Sequence, residues 1–203
     1  MDKFLNKYRI QSTRLQNWDY GWNADYFVTI CTQSRQYFFG NIVNGRMILS
    51  EIGKIANKYW INIPEHFPFA KLDVHVVMPN HIHGIITIDK PNDGRNGTKN
   101  EKRTTTQNRN VGGIVETQYF ASLPQSPQSQ NLKNKFGPQS QNLASIIRGY
   151  KTGVTIYARI NNINFGWQSR YHDHIIRNKT EYQRIRNYII NNPKNWDNDK
   201  FYH

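Results

Sequence analysis

The stretch Leu72–Ile88 constrains the fold more than any other part of the chain. It consists of two Val/Ile-rich runs that meet at Pro79-Asn80. Apolar runs of this length, broken by a turn dipeptide, read as two successive strands, Leu72–Met78 and His81–Ile88. Leu72, Val74, Val76 and Met78 are expected on one face of the first. On the second, alternation puts His81, His83, Ile85 and Thr87 on one face and Ile82, Gly84, Ile86 and Ile88 on the other. Two imidazoles then project together from a rigid element. Each neutral imidazole offers one lone pair, which suits a divalent metal. Two ligands do not close a site, so a third protein group, water or a substrate phosphate has to complete it. The competing reading is two polar side chains on a solvated sheet face.

Charge narrows the partners. The 203 residues hold 27 Lys and Arg against 14 Asp and Glu, a net +13. That excess is costly through self-repulsion and points to a polyanion, with nucleic acid first. A membrane surface is set aside: no basic amphipathic helix stands out and no apolar run approaches spanning length. The N-terminus lacks the apolar core of a secretory signal. The single cysteine, Cys31, excludes an intramolecular disulfide and any multi-cysteine zinc site, and reads as a small core residue. A soluble, cytoplasmic protein is expected. The 12 Tyr and 5 Trp suit base stacking and an ordinary core equally.

Around the histidine strand the other elements fall into place. Tyr26–Thr32 reads as a strand. Phe38–Val43 and Arg46–Leu49 flank Asn44-Gly45, a tight-turn dipeptide. Glu51–Ile61 has helical spacing at Ile52, Ile55, Ala56 and Tyr59, with Pro64 and Pro68 closing it off. From about residue 89 to 141 the chain is polar and contains a direct repeat, Pro127–Leu132 and Pro138–Leu143. So polar a segment does not offset its ordering entropy and reads as a flexible insertion in a single domain spanning 1–203. Leu143–Ile160 returns as a helix with Ile147, Tyr150, Val154 and Tyr157 in one stripe. Gly149 and Gly153 are expected to allow close helix–sheet packing. Arg148, Lys151 and Arg159 lie on a different, basic face. Between Ala144 and Lys194 there are nine Lys/Arg and two acids, so positive charge concentrates where order is expected.

A last helix is expected from Thr180, with Thr180–Gln183 as a capping box and Tyr182, Ile185 and Ile189 as its buried stripe. Tyr188 lies off that stripe, and Asn192 shares its face one turn later. Pro193 ends the helix. If this helix packs beside the histidines, the Asn192 carbonyl could be the third ligand and Tyr188 the group aimed at the metal. A tyrosinate can attack a phosphodiester and retain the phosphate covalently, which permits strand transfer without an external energy source.

Three segments taken together, Met78-Pro79-Asn80-His81-Ile82-His83-Gly84, Trp167–Asn178 and Asn187–Pro193, resemble the REP-associated tyrosine transposases of the HUH endonuclease superfamily. The resemblance runs from about Tyr26 to Trp196 around the polar insertion. It implies an α+β, ferredoxin-like antiparallel sheet with flanking helices. It also implies an Mg2+- or Mn2+-dependent nickase and strand transferase on single-stranded DNA near palindromic hairpins. His81 and His83 would be ligands, Tyr188 the nucleophile, and Asn192 would stand where many relatives carry Gln. Arg148, Lys151, Arg159, Arg170, Tyr171, His174 and Arg177 are the expected DNA contacts, with Tyr171 and His174 in a loop. His174 is equally readable as a structural hydrogen-bonding residue. The chain could act as a monomer or homodimer.

Three rivals remain at this point. One is a hairpin-binding protein of the same fold without catalysis. Another is a histidine-triad nucleotide hydrolase, which needs a third His where the chain has Ile85. The third is a binder of structured RNA.

Overall fold

The computed structural model describes residues 3–4, 7–8, 15, 18–91 and 140–202. The expected insertion lies almost wholly outside them. A two-residue pair, β1 (Lys3–Phe4) and β2 (Lys7–Tyr8), precedes the main body. The central sheet has the order β6-β7-β3-β8, all neighbours antiparallel: β3 is Ala24–Cys31, β6 Ala70–Met78, β7 His81–Ile88 and β8 His172–Ile176. Helix α1 (Glu51–Ile61) joins β3 to β6, and α3 (Leu143–Ile160) joins β7 to β8. This βαββαβ path is the ferredoxin-like arrangement. A side hairpin, β4 (Gly40–Val43) and β5 (Arg46–Leu49), turns at Asn44 and Gly45, both with positive φ (51° and 70°) as a two-residue hairpin requires.

Helices cover both faces. Ile82, Ile86 and Ile88 of β7 join Val28 and Ile30 of β3 against α1 and α3, through Ile52, Ala56, Trp60, Ile146, Ile147, Tyr150 and Val154. On the opposite face Ile85 packs with Ile176 and with Ile185 and Ile189 of the last helix, α4 (Lys179–Asn191). The strand bearing the histidines is therefore buried on both sides, which excludes the solvated-face reading.

Trp60 lies directly on the β7 backbone. A Cβ added at Gly84 would stand 2.3 Å from Trp60 Cζ2, and the indole is fully buried. Gly84→Ala is therefore expected to destabilise the fold by about 2–3 kcal/mol through overpacking. Urea unfolding measures this, and a change below about 0.5 kcal/mol would show that the indole shifts freely.

Several expectations need correction. Gly149 and Gly153 do not serve helix–sheet packing: Cβ atoms there would meet Phe67 at 3.0 Å and Tyr59 at 3.1 Å. They let rings from α1 and the segment after it lie against α3. Pro64 does not simply end α1. It occupies the first turn of a short helix, α2 (Ile63–His66), where a missing N–H costs nothing. The cap of α4 is Asn178, whose side chain accepts from Glu181 N at 2.8 Å, not Thr180. His174 lies within β8 and not in a loop, whereas Tyr171 stands in the irregular segment just before that strand. Strand β6 does not alternate throughout: its register slips between Leu72 and His75. Leu72 turns to the α1/α3 side while Val74 and Val76 pack on the α4 side.

Candidate metal and tyrosine site

The site forms where β7 begins and α4 ends. Register places Cys31 opposite His81 and Thr29 opposite His83. The Pro79-Asn80 turn is pinned by Thr32, whose N–H donates to Asn80 O at 2.9 Å. Asn80 also orients the first imidazole. Its Nδ2 donates to Phe201 O at 2.8 Å, so its Oδ1 faces His81 Nδ1 at 2.8 Å. The His81 proton must then sit on Nδ1, leaving Nε2 a bare lone pair. That Nε2 is buried with no hydrogen-bond partner. His83 Nδ1 lies 2.9 Å from Thr29 Oγ1, and a proton there leaves Nε2 facing the Tyr188 hydroxyl at 3.2 Å.

The 3-10 segment Asn192–Asn198 turns the chain back, and Asp199, just beyond it, comes up beside the histidines. Ligand atoms of His81, His83 and Asp199 lie within 4.8 Å of one another. Asp199 Oδ2 accepts from Asn192 Nδ2 at 2.9 Å and from Tyr188 Oη at 3.4 Å, while Oδ1 accepts from Phe201 N at 2.8 Å. Because the carboxylate can only accept, the Asn192 amide is fixed with Nδ2 toward it. Asn192 Oδ1 is left buried without a partner. Two buried orphaned acceptors beside a partly exposed carboxylate are a costly arrangement unless a cation satisfies them. The donor set therefore fits a divalent metal, which His81, His83 and Asp199 could hold with Asn192 alongside.

Electrostatics agree. His81 is 0% exposed and His83 1%. Burial, then the charges of Lys200 and Arg35, push His81 down to about 3. Burial and the neighbouring imidazole push His83 well down too. Both rings are neutral, as ligands must be. Tyr188 is 42% exposed; partial burial and the Asp199 charge push its phenol up to about 12. The ring meets His83 at 5.3 Å between centroids and Phe27 edge-on at 6.2 Å. Phe201 caps the pair, 4.4 Å from the His81 ring.

Depressed histidines make stability depend on pH. An unfolded histidine takes up its proton near 6.5, whereas folded His81 does so only near 3. The unfolded state binds more protons in that window, so stability is full above about pH 6.5 and falls as pH drops. At pH 5 His81 alone is expected to remove about 2 kcal/mol. Chemical unfolding in chelator at pH 7 and pH 5 measures it; equal stabilities would contradict the buried neutral ring.

The structure brings His81, His83, Tyr188 and Asn192 together within one chain. It adds Asp199, which the sequence reading stopped short of. The signal was chemical: a site of two imidazoles and an amide has no anionic ligand, and Asp197 and Asp199 are the acids closest to Tyr188 downstream. The expected DNA contacts divide between the α3 side of the sheet and the α4 side. Arg148 and Arg159 are exposed on α3, across the sheet from α4. Lys151 Nζ donates to Gln168 O at 2.6 Å and Arg170 O at 3.2 Å, and burial lowers it to about 8. It ties the 168–170 segment to α3. Arg170 is exposed and Tyr171 partly buried. His174 Nε2 pairs with Glu181 Oε1 at 2.8 Å, and Arg177 N donates to Glu181 Oε2 at 3.0 Å. The cations beside the site are instead Arg35 and Lys200, both stacked over the Phe201 ring. Among the described residues, no helix is long and apolar enough to cross a membrane.

A solved REP-associated tyrosine transposase, bound in that structure to a REP hairpin, is similar in fold. The TM-score is 0.53 at 15% identity, covering 92% of this chain and 74% of that one. The chain thus has a transposase-like fold. No family model matches the sequence. An uncharacterized protein of Haemophilus influenzae is 36% identical over 193 residues, covering 95% of this chain and 92% of the other. On that identity over nearly the full length of both, the chain belongs to one family with the Haemophilus influenzae protein.

Proposed function

We propose that the protein is a metal-dependent single-stranded DNA endonuclease and strand transferase that cuts near hairpins through a 5′-phosphotyrosine. The observation that carries this is Tyr188, an exposed residue whose hydroxyl lies 3.2 Å from His83 Nε2 and 3.4 Å from Asp199 Oδ2. A nucleophile that DNA can reach stands against a buried cluster fit for a cation. The fold neighbour bound to a hairpin supports the substrate class, and the net charge of +13 suits it.

In this reading the Tyr188 oxygen attacks the scissile phosphorus and its proton passes to the Asp199 carboxylate. The phosphorus–O3′ bond breaks, and the leaving oxygen takes a proton to become a free 3′-hydroxyl. The 5′-phosphate stays on Tyr188, and a 3′-hydroxyl can later reverse the step. A bound Mg2+ or Mn2+ would polarise a non-bridging phosphate oxygen, and the two imidazoles favour Mn2+. Asn80 and Thr29 keep both ring lone pairs aimed inward. Asn192 holds Asp199 in place.

The test is covalent capture: end-labelled hairpin oligonucleotides, from the palindromic DNA flanking the gene, are mixed with protein and Mn2+ and run in SDS. A protein–DNA band that chelator abolishes is expected. A second reading, hairpin binding without catalysis, draws on the complete burial of both imidazoles beneath Phe201. Tight hairpin binding with no band would select it.

A further inference from the structure

The slip in β6 has a use. Three residues of β6 span what two span on β7, since Leu72 faces Ile86 and His75 faces Gly84. A bulge of this kind turns two consecutive side chains toward one side and re-aims them. Here Val74 packs on the α4 side, and Asp73 reaches the same helix. Asp73 Oδ2 accepts from Tyr182 Oη at 2.8 Å and from Arg186 Nε at 3.2 Å. Tyr182 and Arg186 are one turn apart, so a single carboxylate oxygen grips α4 at two points along its length. On the other flank Glu181 is held by His174 and Arg177 N. Between the flanks only Ile185 and Ile189 of α4 are fully buried.

That apolar seam is narrow, and two isoleucines one turn apart resist rotation of a helix poorly. The polar grips on either side fix it. Tyr188 sits two residues beyond Arg186. A side-chain tip about 6 Å from the helix axis moves about 2 Å when the helix turns by about 20°. Such a shift breaks the 3.2 Å contact with His83.

We propose that Asp73, presented by the β6 bulge, is a positioning residue: it sets the rotation of α4 and so holds the Tyr188 hydroxyl at the histidine pair. This rests on the nuclease reading only for its catalytic consequence.

The experiment compares wild type with Asp73→Ala, Asp73→Asn and Arg186→Gln, using two readouts. The first needs no activity: 19F NMR of DNA-free protein labelled with 3-fluorotyrosine, the Tyr188 signal identified by its absence in Tyr188→Phe. In Asp73→Ala that signal is expected to move toward its position in the unfolded chain, with smaller moves in Asp73→Asn and Arg186→Gln. The second is adduct formation at saturating hairpin DNA. It is expected to fall at least about tenfold in Asp73→Ala while hairpin Kd stays within about twofold, because misplacement by an ångström or two costs rate rather than binding. If Asp73→Ala fails to fold, the two milder variants decide. An unmoved Tyr188 signal in folded variants overturns the proposal, as does a rate that falls only in step with affinity. A wild-type protein that gives no adduct defeats the nuclease reading instead, and the fluorine shifts still settle the role of Asp73.

Discussion

Tyr188→Phe is expected to abolish the SDS-resistant DNA adduct while leaving hairpin Kd within about twofold of wild type, since it removes the proposed nucleophile and little else. The substitution deletes one oxygen on a half-exposed side chain. The ring keeps its edge contact with Phe27, and Ile185 and Ile189 still dock α4. The hydroxyl contributes one hydrogen bond to His83 and a longer one to Asp199, so stability should change by about 1 kcal/mol. Tyr182 cannot substitute: its hydroxyl is committed to Asp73. Tyr150 donates to Ala56 O inside the core. A persistent adduct in Tyr188→Phe would move the nucleophile elsewhere, and loss of hairpin binding in parallel with the adduct would remove Tyr188 from a chemical role.

The second large effect concerns the ligands. His81→Ala and Asp199→Ala are each expected to lower Mn2+-dependent adduct formation by at least about a hundredfold, a first ligand mattering more than the outer groups whose loss costs ten- to a hundredfold. Binding of the hairpin in chelator should change far less. Asn192→Ala separates the two oxygen candidates. If Asp199 is the third ligand, this variant keeps most of its metal binding, losing the amide that holds the carboxylate and one oxygen beside the site. Thermal shift supplies a readout free of chemistry. Mn2+ at about a hundred times its Kd stabilises a native-state binder by about 2.7 kcal/mol, and that shift should vanish in Asp199→Ala and persist in Asn192→Ala. The reverse pattern would return the third position to Asn192.

Local signals explain which parts of this fold could be read in the sequence. The βαββαβ core rests on strong periodicity: Glu51–Ile61 and Leu143–Ile160 appear with the bounds expected for them, and Asn44-Gly45 makes the turn its dihedral needs demand. Strand β8 was hidden because His172-Asp173-His174 sits on a sheet edge, where polar side chains are tolerated and alternation carries no hydrophobic contrast. The bulge at Asp73 was hidden because a one-residue slip leaves no mark in composition; only the partner strand reveals it. Asp199 was missed for a different reason. It follows Pro193, where helical spacing stops, and nothing local says that the chain folds back onto β7. His81, His83, Tyr188 and Asn192 could be named because each sits at a fixed phase of a regular element. The side of the sheet that α3 would occupy had no such marker.

The double burial of β7 divides the site by resilience. The histidines lie on a central strand, bonded to neighbours on both sides and roofed on both faces. Such amides open only with the whole domain. Tyr188 rides a peripheral helix seated on two isoleucines and a few polar ties. Its detachment is a small, local event costing a fraction of global unfolding. Tyr188 and the histidine pair are therefore expected to belong to different cooperative units. In the proposed mechanism the chain would lose Tyr188 and regain it without moving the two histidines, though Asp199, tied to Tyr188 and Asn192, would follow the helix, so the fraction of time α4 spends docked would enter the observed rate as a multiplier.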